Sequence, residues 1–252
     1  TGPVPSDDLD TAESLRLHVL PFAGVNRAAL SWYEKHNVLL ASSHGNAQAV
    51  AERGAALLYA AAGRVVEFDQ DLRRGMWHRR RDEKRPFDYW RSLTGARVAV
   101  LGTGEIGSRV AALLRPLAGE VIGFRRSAAG SPGTPELHRP DERPPGEHVV
   151  THEAPEAAES PARRPERVFD SIVNNLDETL AGADAVVVTL PLTAETRDLL
   201  RYDNLVATNN AVFVNISRAE IVSEEHLYAA LTDGTLYAAG LDSLFTWLLF
   251  LA

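Results

Sequence analysis

An α/β fold built on a doubly wound parallel sheet is what this sequence predicts, and two observations predict it. From Arg97 onward short apolar runs alternate with helix-forming ones, the pattern of a parallel sheet covered by helices. The first of these runs, Val98-Ala-Val-Leu101, leads directly into Gly102-Thr-Gly-Glu-Ile-Gly107, and a helix-forming stretch follows at once. Each glycine then has its own task. Gly102 permits the tight turn out of the strand, Gly104 lets a pyrophosphate approach the backbone, and Gly107 lets the helix pack close on the sheet. The amides of Glu105, Ile106 and Gly107 open that helix and are expected to receive the phosphates.

In chain order, residues 1 to 10 are rich in proline and aspartate and read as a tail or the cut edge of something longer. Leu15 to Leu20 fits a strand. From Ala47 to Arg73, Val50, Ala51, Ala55, Leu58, Ala62, Val65 and Val66 recur at helical spacing, which predicts one long amphipathic helix with an alanine-rich face. Small residues allow close packing, so this helix is the expected interdomain or dimer element. The charged stretch Arg79 to Arg85, closed by Pro86, marks a boundary. A first unit is therefore placed at residues 1–92 and a Rossmann-type dinucleotide-binding unit at 93–245. Within the second, strands are expected at Val98–Leu101, Val121–Phe124, Ala185–Leu190, Ala211–Ile216 and Tyr237–Leu241, and helices at Ile106–Leu117 and Glu224–Leu231. Residues 127–168 interrupt the alternation with eight prolines among charged and small residues, and are expected to be a mobile surface insertion. His148 and His152 fall inside it, but their surroundings hold no helix, so no metal site is expected.

At 252 residues and 45% hydrophobic, the chain can fill a real core. A net charge of -8, with no face rich in lysine or arginine, argues against nucleic acid as a partner. The absence of cysteine excludes disulfides, thiolate metal sites and cysteine nucleophiles. Leu244 to Ala252 is apolar but too short to span a bilayer, so no membrane partner is expected and the protein is expected to be soluble and cytoplasmic.

The end of the second strand bears on the cofactor. In a dinucleotide fold an acidic residue there accepts from the 2'-hydroxyl of NAD. Here the strand ends Val121-Ile-Gly-Phe-Arg-Arg126, so Arg125 stands where the acid would be and Arg126 follows it. Two guanidiniums suit a 2'-phosphate, which a carboxylate would repel, and the sequence favours NADP(H) over NAD(H).

Together with the glycine loop, the segments Gly45-Asn-Ala-Gln-Ala-Val-Ala-Glu52, Leu190-Pro-Leu-Thr-Ala-Glu-Thr196, Val214-Asn-Ile-Ser-Arg-Ala-Glu-Ile-Val222 and Ala239-Gly-Leu-Asp242 resemble the D-isomer-specific 2-hydroxyacid dehydrogenases, in order and in spacing. The resemblance covers residues 20 to 243 apart from the insertion. It implies hydride transfer between a nicotinamide cofactor and a small 2-keto or D-2-hydroxy acid, a homodimer, and a smaller flavodoxin-like substrate domain, partly missing here, to which 246–252 begin to return. Arg218 matches the family's catalytic arginine, which grips the substrate carboxylate and polarises the keto oxygen. Asp242 matches the aspartate near the nicotinamide carboxamide. Leu190, Pro191 and Thr196 match the segment beside the adenosine and phosphates, and Ile216 and Ser217 lead into Arg218 along the cofactor. Ala23, Gly24 and Val25 match the loop whose amides hold the substrate carboxylate.

The same resemblance implies a glutamate and a proton-donating histidine after the aspartate. From Ser243 to Ala252 the chain has neither, and His226, the last histidine, is expected on the surface of its helix. A piece of a longer enzyme is the leading expectation, because the apolar residues Leu248 to Ala252 call for more structure to bury them. A non-catalytic dinucleotide-binding sensor, comparable to the family's corepressor-like relatives, is the alternative.

Overall fold

Two sheets, both wholly parallel, organise the residues that the computed structural model describes: 14–20, 30–43, 45–76, 90–126 and 168–243. The smaller pairs β1 (Leu17–Leu20) with β2 (Leu39–Ser42), Leu17 opposite Leu39, across α1 (Leu30–Lys35). Its small core is Tyr33 and Val38, with Trp32 edge-on to Tyr33 and stacked on His36. His18 Nδ1 is 2.7 Å from the Tyr33 hydroxyl, so this histidine already has a structural partner.

The helix expected over Ala47–Arg73 is two helices, α2 (Ala47–Ala62) and α3 (Val65–Arg73). Arg64 breaks it, taking a left-handed backbone with φ of 49°, while the Gly63 N–H caps the Tyr59 carbonyl at 2.8 Å. The apolar period runs straight through the break, yet Val65 and Val66 beyond it are exposed.

The main sheet is formed by β3 (Arg97–Leu101), β4 (Glu120–Phe124), β5 (Ser171–Val173), β6 (Ala185–Val188), β7 (Val212–Asn215) and β8 (Ala238–Leu241), in the spatial order β5-β4-β3-β6-β7-β8. Relabelled by sequence within the sheet this is 3-2-1-4-5-6, the doubly wound dinucleotide-binding order, which reverses between β3 and β6. Alternate side chains enter two separate cores. Val98, Val100, Val121, Val187, Val212 and Val214 pack with Ala51, Ala55 and Leu58 of α2 and with Val110, Ala111 and Leu114 of α4 (Glu105–Leu114). On the other face Ala99, Leu101, Val186, Val188 and Phe213 pack with Leu180 of α5 (Leu176–Leu180), Leu205 of α6 (Tyr202–Val206) and Leu227 and Ala230 of α7 (Glu224–Thr232). Burial on both faces explains why these strands read as unbroken apolar runs rather than alternating ones. α2 therefore covers the large sheet. Gly54 lets it approach, since a Cβ there would lie 2.7 Å from Ile216 Cδ1. No helix among the described residues is long and apolar enough to cross a membrane.

Candidate functional site

The chain leaves β3 through Gly102, whose φ of 109° an L-residue rarely adopts, and a Cβ there would lie 2.7 Å from Thr189 Oγ1. Gly107 is more constrained still: a Cβ on it would stand 1.8 Å from the Gly102 carbonyl oxygen. Thr189 locks the arrangement by donating its hydroxyl to the Gly102 carbonyl at 3.0 Å. Gly104 is different, because a Cβ there would meet nothing within 4 Å. Two glycines thus serve packing and the third leaves open space above the start of α4. The first helical bond of α4 runs from the Ser108 N–H to the Gly104 carbonyl at 2.9 Å, so the amides of Glu105, Ile106 and Gly107 precede it at the positive end of the helix. Such an end receives phosphate.

Arg125 extends from the end of β4 and donates its Nε to the Thr103 hydroxyl at 2.8 Å. Its guanidinium is thereby tied to the glycine loop, with its terminal nitrogens unpartnered among the described residues. Arg126 is exposed and donates Nη1 to Glu195 Oε2 at 3.0 Å. Glu195 belongs to the loop after β6, which Thr196 braces from within: its buried hydroxyl donates to the Pro191 carbonyl at 2.6 Å and accepts the Thr193 N–H at 2.7 Å. Leu190, also buried, offers its carbonyl to the Ser217 hydroxyl.

At the carboxyl end of β7, Asn215 is buried and shapes the turn that carries Arg218. Its Oδ1 accepts the Ser217 N–H and its Nδ2 donates to the Arg218 carbonyl, both at 2.9 Å. The Asn215 carbonyl in turn accepts the Asp242 N–H at 2.9 Å, and Ser243 Oγ donates to the Ser217 carbonyl at 2.9 Å. Three strand ends are so joined. Arg218 donates Nη1 to the Ser217 carbonyl at 3.3 Å, while its Nε is buried with no acceptor among the described residues. A buried guanidinium donor without an acceptor, at the end of the sheet where ligands of this fold bind, is a place for an anion. Removing both Asn215 bonds in Asn215→Ala is expected to cost about 2–3 kcal/mol of stability, read from the midpoint of denaturant unfolding.

The structure thus brings Gly102, Gly104, Gly107 and Arg125 to one end of the sheet, together with Ile216, Ser217, Arg218 and Asp242. Ala23, Gly24 and Val25 lie outside the described residues, as do His148, His152 and all of the expected insertion except Val168. His226 is half-buried on its helix: Leu227 beside it packs on the sheet, and His226 Nδ1 is buried with no partner among the described residues. Two site residues had no signal in the sequence. Arg53 of α2 makes an ion pair with Asp242 from 189 positions away, and Thr189 holds the glycine loop from the next strand.

The family model for the D-isomer specific 2-hydroxyacid dehydrogenase NAD binding domain matches residues 55–159 and 146–246. A glyoxylate reductase of Aeropyrum pernix is 29% identical over 245 residues, covering 96% of this chain and 63% of its own length. A D-3-phosphoglycerate dehydrogenase of Methanocaldococcus jannaschii is 26% identical over 241 residues, covering 95% of this chain. The chain spans 39% of that second relative, so it corresponds to only part of these curated proteins. Among solved structures, an acyclic imino acid reductase in complex with NADPH and D-Arg superposes with a TM-score of 0.71 at 19% identity, covering 97% of this chain and 66% of that one, and so shares the fold. Through the domain that carries the glycine loop, the chain belongs to the D-isomer specific 2-hydroxyacid dehydrogenase family.

Proposed function

We propose that the chain binds NADP(H) over the glycine loop and serves the interconversion of a small 2-keto acid and its D-2-hydroxy acid. The observation that carries this reading is the tie between Arg125 and Thr103, which holds a cation beside the pyrophosphate loop at the strand end where a ribose is read. Arg126 adds a second cation there, and the open space at Gly104 fits a phosphate on the α4 amides. When bound, the nicotinamide supplies or accepts the hydride. Leu190, Pro191, Thr196, Ile216 and Ser217 would line the cofactor's course, and Asp242, steadied by Arg53, would face the carboxamide end.

Arg218 is assigned the substrate. Its buried Nε, without an acceptor among the described residues, would bind the carboxylate and stabilise charge gathering on the keto oxygen. The amides of Ala23, Gly24 and Val25 are proposed to hold the other side of that carboxylate. Exposed Tyr59, Val65 and Val66 on α2 and α3 support a homodimer through these helices. We place the protein in the cytoplasm.

A second reading is cofactor binding without turnover. It is favoured by the family model that matches, which is that of the NAD binding domain. The test is to follow NADPH and NADH absorbance with glyoxylate, hydroxypyruvate and pyruvate in turn. Consumption of NADPH with any of them supports the first reading. Binding with no consumption supports the second, and failure to bind either cofactor refutes both.

A further inference from the structure

Glu195 stands in the cofactor-facing loop but belongs to none of the roles above. Its Oε2 accepts from the Thr193 hydroxyl at 2.8 Å and from Arg126 Nη1 at 3.0 Å. The loop that presents it is braced by Thr196, so the carboxylate is held in place rather than carried on a free tip. Donation from Thr193, reinforced by Arg126, holds the Glu195 carboxyl below the usual carboxylate range, and it is ionised at neutral pH. Both partners of the ion pair are exposed, so it adds little to the stability of the fold. Its consequence lies in what else reaches Arg126.

Arg125 and Arg126 are not equivalent. Arg125 is tied to Thr103 through Nε, a neutral contact that leaves its charge available to an anion. Arg126 already carries a counter-ion. A 2'-phosphate arriving at Arg126 has to displace the Glu195 carboxylate or share the guanidinium with it, and the two anions repel at short range. A cofactor with a free 2'-hydroxyl meets no such opposition.

We infer, on the NADP(H) reading above, that Glu195 is a specificity residue that limits affinity for the 2'-phosphorylated cofactor by occupying Arg126, and so keeps NADH within reach of the same site.

The test uses the full chain, with NADPH and NADH titrated by fluorescence against wild type, Glu195→Gln, Arg126→Gln and the double variant. Glutamine keeps the size of the side chain and its acceptor for Thr193 and Arg126, and removes only the charge. In Glu195→Gln the Kd for NADPH is expected to fall about fivefold, the size of one unit-charge repulsion at about 4 Å through water, and the Kd for NADH to move less than about twofold. The gain should shrink as salt rises, and should vanish when Arg126 is also replaced. Wild type that prefers NADPH, together with Glu195→Gln that leaves the NADPH Kd unchanged or weaker, overturns the inference and leaves the cofactor reading standing. Wild type that binds NADH at least as tightly as NADPH overturns the reading beneath it.

Discussion

Gly107→Ala is expected to lose dinucleotide binding and melting temperature together, whereas Gly104→Ala is expected to lose binding alone. At Gly107 the added carbon would stand 1.8 Å from the Gly102 carbonyl oxygen and 2.8 Å from Thr189 Oγ1. The first of these is backbone and cannot swing aside, so the loop or the start of α4 must move. Overpacking of this kind costs about 1–3 kcal/mol, and a displacement of the loop also misdirects the amides that receive phosphate, for an expected loss in affinity of at least about 100-fold. At Gly104 the same carbon would meet no protein atom within 4 Å. Stability should therefore hold within about 0.5 kcal/mol, while the methyl fills space that a phosphate needs. Thermal melts and cofactor titration of both variants check this. Retained affinity in Gly107→Ala would contradict the geometry described for the loop.

Arg218→Gln is expected to lower kcat/KM for the keto acid that is turned over by about 10²- to 10³-fold, with an unchanged melting temperature in the absence of ligand. The turn that carries Arg218 is shaped by Asn215 bonding to backbone groups, so the fold does not depend on the Arg218 side chain. Arg218→Lys restores the charge but not the planar fork, and should recover only part of the loss. A readout independent of turnover is the rise in melting temperature that glyoxylate gives the NADPH-bound chain by mass action, which Arg218→Gln should abolish. An undiminished rise would remove Arg218 from the substrate site.

Much of this site was legible because its chemistry is local. Gly102, Gly104 and Gly107 stand five positions apart at most; a close approach leaves no room for a Cβ at Gly102 and Gly107, while Gly104 leaves space open above α4. The strands were legible because burial on both faces makes them continuous apolar runs, although β6 stops at Val188, before the expected Leu190, where Thr189 turns to hold the glycine loop. The break between α2 and α3 was not legible. It rests on a left-handed Arg64, a residue type with no preference for that conformation, while the apolar spacing continues undisturbed into Val65 and Val66. β5, α5 and α6 span five residues or fewer, too short for a period to show. Pairings across the fold, such as Arg53 with Asp242 and Arg126 with Glu195, depend on the packing of α2 and on the loop after β6.

We propose that two arginines at the end of β4 select a phosphorylated dinucleotide, and side-by-side fluorescence titration of the full chain with NADPH and NADH decides it. Charge-assisted bonds to a 2'-phosphate predict NADPH binding at least about tenfold more tightly, a difference of about 1.4 kcal/mol. NADH binding as tightly as NADPH, or more tightly, would contradict it.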